Sequence, residues 1–127
     1  MTAVLYPITK KLILDGGINF LSDTIKAALI DTGTYTYSAA HDFYNDISGV
    51  VGTPGTLANK TTTGGAFDAD DLTISAVTGA TIEAVLIYKD TGNPATSPVI
   101  GFVDGLSLTP NGGNVTIQWN ASGIFAI

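Results

Sequence analysis

The residue best suited to acid–base chemistry is the single histidine, His41, which stands in the segment AAHDFYND at residues 39–46. A catalytic histidine needs a nucleophile and an orienting carboxylate beside it in space. Asp42 and Asp46 are near in sequence, but the chain contains no G-x-S-x-G motif to present a serine nucleophile. The sequence therefore predicts that His41 is an exposed or hydrogen-bonded bystander and that the protein is not an enzyme.

The only acidic cluster comprises Asp68, Asp70 and Asp71, in the segment FDADDLTIS. Alternating aspartates can offer oxygen ligands to a hard cation such as Ca²⁺. The EF-hand pattern is absent, because no glycine stands at its sixth position and no glutamate at its twelfth. We expect the three side chains to cap the entry to a strand and keep its edge soluble. The sequence thus predicts no metal and no cofactor, with a cation site as the alternative.

A third group of candidates is aromatic: Tyr35, Tyr37, Phe43 and Tyr44 gather in one segment around His41. Such rings can build a sugar-binding platform. Rings that are buried in the core when a short helix docks on a sheet are the more ordinary explanation, and we favour it. The glycine-rich pieces predict turns, since no phosphate-loop pattern occurs.

The element that must position these residues is a strand at residues 81–90, TIEAVLIYKD. One alternating set of its side chains is wholly apolar, and the other keeps charges only at its ends. This pattern predicts a central strand covered on both faces. The turn at residues 91–94 and the apolar run at 97–103 predict an antiparallel hairpin. The fold class predicted is mostly β, a single-domain β-sandwich over residues 1–127, jelly-roll or Greek-key-like, with one or two short helices.

Further elements follow from local signals on either side of this hairpin. A helix is predicted at residues 8–14 after Pro7, and another at 39–46 behind a Ser38 cap. The segment 50–65 is expected to be a long surface loop with one edge strand near 60–63. Strands are predicted at residues 2–6, 22–31, 115–119 and 124–127.

Composition narrows the possible partners. The formal net charge is −6, with five lysines and no arginine, which argues against nucleic acid. No apolar run reaches the ~18 residues of a membrane span, and no cysteine is present. Only 13% of residues are charged, against about 25% in typical domains. A surface of this kind is easily desolvated, so we expect an extensive interface with copies of the chain or with another protein.

Three stretches resemble a family of small virion proteins of tailed bacteriophages, and the similarity covers nearly the whole chain. Its most specific parts are the block AFDADDLT, the turn YKDTG with the following SPVIGF, and the ending P-N-G-G…W…G-I-F. The resemblance implies a head decoration, or cement, protein on the capsid exterior, made in the host cytoplasm. Its partners would be the major capsid protein and itself, as a homodimer or homotrimer. The alternative is a tail or fibre-associated protein with a receptor- or glycan-binding face.

The apolar ends of the chain are the predicted interface. Terminal strands can join the exposed edge of a partner's sheet through backbone hydrogen bonds. The residues assigned to this interface are Val4, Leu5, Tyr6, Ile124, Phe125 and Ile127.

Overall fold

The structure is a computed structural model that describes residues 2–127. The described residues form one helix and nine strands. In chain order they are β1 (Thr2–Leu5), α1 (Pro7–Asp15), β2 (Ile25–Ile30), β3 (Val50–Thr56), β4 (Ala66–Phe67), β5 (Leu72–Ile74), β6 (Ile82–Lys89), β7 (Val99–Leu108), β8 (Val115–Ile117) and β9 (Phe125–Ala126). Two short 3₁₀ turns lie at Tyr44–Asp46 and Thr63–Gly65.

The main sheet has five strands in the order β1-β7-β6-β2-β3, and all of its pairs are antiparallel. Two smaller antiparallel sheets, β4-β9 and β5-β8, contribute the second layer. The predicted mostly-β sandwich is therefore confirmed, with its second layer divided between two short ribbons.

Strand β6 is the centre of the main sheet, as its alternation predicts. Val85 and Ile87 enter a core that packs against the two short ribbons. Ala84, Leu86 and Tyr88 enter a second core on the opposite face. All five are buried, and full burial of each large side chain contributes about 1.5–3 kcal/mol. Both faces of this strand are thus covered by the same chain.

The two cores differ in chemistry. The core beneath the ribbons is mainly aliphatic, and Phe67 and Trp119 are its buried aromatic residues. The opposite core is rich in tyrosine, and the long connection between β2 and β3, residues 31–49, covers it. Two of its buried tyrosines, Tyr6 and Tyr35, lie outside the strands of the main sheet.

Helix α1 confirms the prediction for residues 8–14. Pro7 occupies its first turn, where a missing N–H does no harm. The helix ends at Gly16, whose φ of 75° is the left-handed conformation that glycine adopts without strain. The buried hydroxyl of Thr9 donates a hydrogen bond to the carbonyl oxygen of Val99, at 2.6 Å. This bond fixes the helix against the beginning of β7.

The prediction of a helix at residues 39–46 is wrong, since only Tyr44–Asp46 makes a 3₁₀ turn. The segment instead runs beside the hairpin loop: Phe43 forms a β-bridge with Pro98, and the Tyr44 N–H donates to the Ser97 carbonyl. These contacts with the sheet replace the local bonds that a helix would use.

The expected loop at 50–65 is wrong for its first part, because Val50–Thr56 is the edge strand β3, whereas residues 57–62 belong to no named strand or helix. Its pairing with β2 is irregular between Ala27 and Leu29, and Pro54 lies within this irregularity, where no ladder N–H is required. The strand predicted at 60–63 is reduced to a single bridge between Thr61 and Asp68.

Truncating the central strand should destabilise the protein far more than the same change on the surface. Leu86→Ala removes a fully buried side chain, and we expect the free energy of unfolding to fall by about 2–5 kcal/mol. Leu14→Ala is the matched control, because Leu14 is 87% exposed, and its effect should stay within about 0.5 kcal/mol. Urea unfolding of both variants measures this, and equal losses would contradict the central position of β6.

Candidate functional site

His41 takes part in a chain of hydrogen bonds. Its Nδ1 lies 2.8 Å from the Tyr35 hydroxyl, which in turn lies 2.8 Å from the hydroxyl of Tyr6. With Tyr6 donating to Tyr35 and Tyr35 donating to Nδ1, each group of the chain has a partner. His41 is therefore hydrogen-bonded in the way the sequence predicts. This series of hydrogen bonds links Tyr6, the residue directly after β1, to the connection over the tyrosine-rich core.

Burial controls the charge state of this network. Desolvation raises the pKa of Tyr6 and of Tyr35 above the ordinary tyrosine value. The two phenols thus remain neutral donors. Nearby, backbone N–H groups of Asp42 and Phe43 donate to the Asp46 carboxylate and lower its pKa. Asp46 stabilises the local turn through these bonds.

The aspartates at 68–71 stabilise strand ends. Asp71 Oδ1 accepts the backbone N–H of Trp119 at 3.0 Å, and Asp70 pairs with the side chain of Asn59. Asp68 accepts the N–H of Ala69. Within residues 2–127, no group of three or more histidine, aspartate or glutamate residues is placed to hold a metal ion.

The aromatic segment belongs to the core, although not as a helix. Tyr35 is buried, and Tyr37 packs on Tyr6 with ring centroids 4.8 Å apart. Tyr44 stacks on Tyr88 at 4.2 Å with an interplanar angle of 6°. The interpretation of these rings as core residues is confirmed for Tyr35, while Tyr37 and Tyr44 are half-buried and pack against that core, and Phe43 is half-buried outside it.

The surface that most resembles a binding site lies where the two ends of the chain meet. Strand β1, Lys10 of α1 and the last residues of the chain, from the end of β9 onward, line one groove of about 480 Å³. We call it the terminal groove; its residues are Ala3, Val4, Leu5, Lys10, Ala126 and Ile127. Val4 is 43% exposed and Ile127 70% exposed, which makes them two of the few large apolar side chains open to solvent among the described residues.

The predicted interface residues divide into two groups. Val4, Leu5 and Ile127 line the terminal groove, so the structure brings these three together. Tyr6 and Ile124 are buried inside the chain and offer no surface to a partner. Phe125 is half-buried and packs with Phe20 and Phe67.

Sequence reasoning missed Ala3, Lys10 and Ala126 as groove residues. Ala3 and Ala126 carry no signal beyond their place in terminal strands, because alanine is common in cores and on surfaces alike. Lys10 was visible as an exposed position of a short helix. Its proximity to residues 126–127 depends on tertiary structure that no local pattern contains.

The groove follows the open edge of β1. Side chains that alternate along a strand point to opposite faces, yet Ala3, Val4 and Leu5 all line the groove, so it must lie along the strand's edge. On the paired side, Thr2–Leu5 match Asp104 to Gly101 of β7, and the Tyr6 N–H donates to the Ile100 carbonyl at 3.0 Å. Because β1 has no second neighbour in the sheet, its outer side is unpaired.

No protein-family model matches this chain, and a search of curated proteins finds no similar sequence. None of the helices within residues 2–127 is long and apolar enough to span a membrane. The resemblance to phage virion proteins therefore remains a prediction.

Removing one buried phenol should change how stability depends on pH. A raised folded pKa makes Tyr6 stabilising below about pH 10, the pKa of an unfolded tyrosine, and that stability is lost as pH rises further. In Tyr6→Phe the alkaline loss should be shallower by up to about 1.4 kcal/mol per pH unit. At pH 7 the variant should lose about 1 kcal/mol with the hydrogen bond to Tyr35. Urea titrations from pH 7 to 11 measure both effects, and an unchanged alkaline slope would contradict the first.

Proposed function

We propose that the protein is a phage capsid decoration protein, which binds the outer surface of the head shell as a homo-oligomer and stabilises it. The terminal groove is the observation that carries this proposal. It joins an unpaired strand edge to exposed apolar side chains, and such a surface supports binding to another protein. The proposal assigns the protein no reaction.

Composition supports the same role. A decoration protein must stay soluble before assembly and then bury much of its surface against a shell. The net charge of −6 favours the first requirement, and the low share of charged residues favours the second, because few charges need to be desolvated. The sequence resemblance described above points to the same class of protein.

Charge placed in the terminal groove should prevent binding to heads. We expect the wild-type protein to co-sediment with purified undecorated heads. We expect Val4→Asp to bind at least tenfold more weakly, because a hydrated carboxylate replaces the apolar side chain that the partner would cover. Leu21→Asp makes the same charge change on an exposed leucine that does not line the groove, and should bind like the wild type. Thermal unfolding confirms that each variant is folded. Failure of the wild type to co-sediment would overturn the proposal.

A second candidate is a tail or fibre-associated protein with a receptor- or glycan-binding face. It is favoured by a groove of about 390 Å³ beside the tyrosine-rich core. The half-buried Tyr37 offers ring surface there, while Glu83 and Asp104 offer carboxylates that accept hydrogen bonds from sugar hydroxyls.

A glycan array probed with the purified protein tests this candidate. Binding that is weakened in Asp104→Asn, with Asp15→Asn as a control away from the groove, would support it. A blank array would argue against it and leave the decoration role as the better account.

A further inference from the structure

One side of the terminal groove is the outer edge of β1, whose backbone N–H and C=O groups have no partner strand within residues 2–127. Such an edge can bind another chain by pairing with it as an added strand. We propose that the groove accepts an extended segment of the shell protein as a sixth strand of the main sheet, beside β1, and that this segment places a carboxylate against Lys10. The inference rests on the proposed function, which it deepens by defining the chemistry of the partner.

The backbone of β1 supplies the first part of the argument. In an antiparallel pair, alternate residues direct both their N–H and C=O groups at the partner strand. Tyr6 directs its N–H at Ile100 of β7, so by this alternation Val4 faces β7 as well. Ala3 and Leu5 then direct their N–H and C=O groups outward. An added strand forms hydrogen bonds with the N–H and C=O groups of alternate residues, and Ala3 and Leu5 are two such residues.

The side chains supply the second part. Val4 stands on one face of β1, and Ala3 and Leu5 stand on the other, where they pack at the border of the aliphatic core. Ala126 and Ile127 line the groove as well, and the small side chain of Ala126 leaves room for an incoming chain. The groove thus offers apolar contacts to side chains on either face of an added strand.

Lys10 supplies the third part, which concerns charge. Lys10 lines the groove and forms no ion pair within residues 2–127, whereas its neighbour Lys11 pairs with Asp15. An unpaired ammonium beside an apolar groove favours a segment that brings a carboxylate.

The unpaired ammonium of Lys10 also distinguishes between two possible occupants of the groove. A second copy of this chain that paired its β1 with this one would bring Thr2–Leu5, a sequence without any acidic residue. Lys10 would stay unpaired in such a dimer. A segment of another protein with alternating apolar residues and one aspartate or glutamate satisfies both the edge and the lysine.

Amide hydrogen exchange distinguishes this mode from simple surface contact. In the free protein the amide of Val4 should exchange slowly, and the amides of Ala3 and Leu5 should exchange quickly. When purified undecorated heads are added, the amides of Ala3 and Leu5 should become protected by at least tenfold. Exchange is quenched after incubation, and the protein is then released and read by NMR.

Two pairs of variants complete the test. Lys10→Gln should weaken binding to heads by about 3- to 10-fold, while Lys11→Gln, which loses the same charge away from the groove, should bind normally. Ala3→Pro removes one outward N–H without touching a bond to β7, and should abolish binding at concentrations where the wild type saturates. Ala121→Pro in the exposed turn before β9 is its control, and thermal unfolding verifies each fold.

The outcomes separate the two proposals. If the wild type binds heads but Ala3 and Leu5 gain no protection, or if Lys10→Gln and Lys11→Gln bind alike, the strand-addition inference is wrong and the decoration role stands. If the free protein sediments as a dimer with Ala3 and Leu5 already protected, a second copy is the occupant and the inference is wrong. If the wild type does not bind heads, both proposals fail.

Discussion

The burial of β6 on both faces is the constraint on which the rest of the structure depends. A strand with apolar side chains on both sides needs two covers, and this chain supplies both of them. One cover consists of the ribbons β4-β9 and β5-β8, and the other is the connection at residues 31–49. Each cover is too small to be stable alone, so the packing against β6 holds them in place.

The tyrosine-rich cover also positions the terminal groove. Tyr6 follows β1 directly and is fully buried, where its hydroxyl meets that of Tyr35. One residue thus ties the edge strand to the connection that covers the core. Strand β1, which forms one side of the groove, is consequently held in place by the buried core, even though its outer edge is exposed to solvent.

The sequence predicts the parts of this fold that local periodicity controls. The alternation around Val85 and the proline before the helix both identify elements correctly. Strand β3 escaped prediction because Gly52 and Pro54 are turn residues by composition, while pairing with β2 makes the segment a strand. Ile82 lies in the aliphatic core, away from Ala84 and Leu86, because the register with β7 shifts between Ile82 and Ala84. Simple parity does not anticipate such a shift.

The candidate site was also predictable only in part, because local sequence patterns do not contain tertiary packing. Apolar ends pointed to Val4, Leu5 and Ile127, but their assembly into one groove joins residues more than 120 positions apart in sequence. Whether a terminal apolar residue faces a partner or the chain's own core depends on tertiary packing. Tyr6 and Ile124 show this, since both are buried within the chain.

The junction of β1 and α1 is held at two successive points on β7. The Tyr6 N–H bonds the carbonyl of Ile100, and the Thr9 hydroxyl bonds that of Val99. The strand edge and the helix that carries Lys10 are thereby fixed relative to each other before any encounter. Such preorganisation means that little conformational entropy is lost on this side of an association, so the flexibility of the incoming partner sets the entropic penalty of binding.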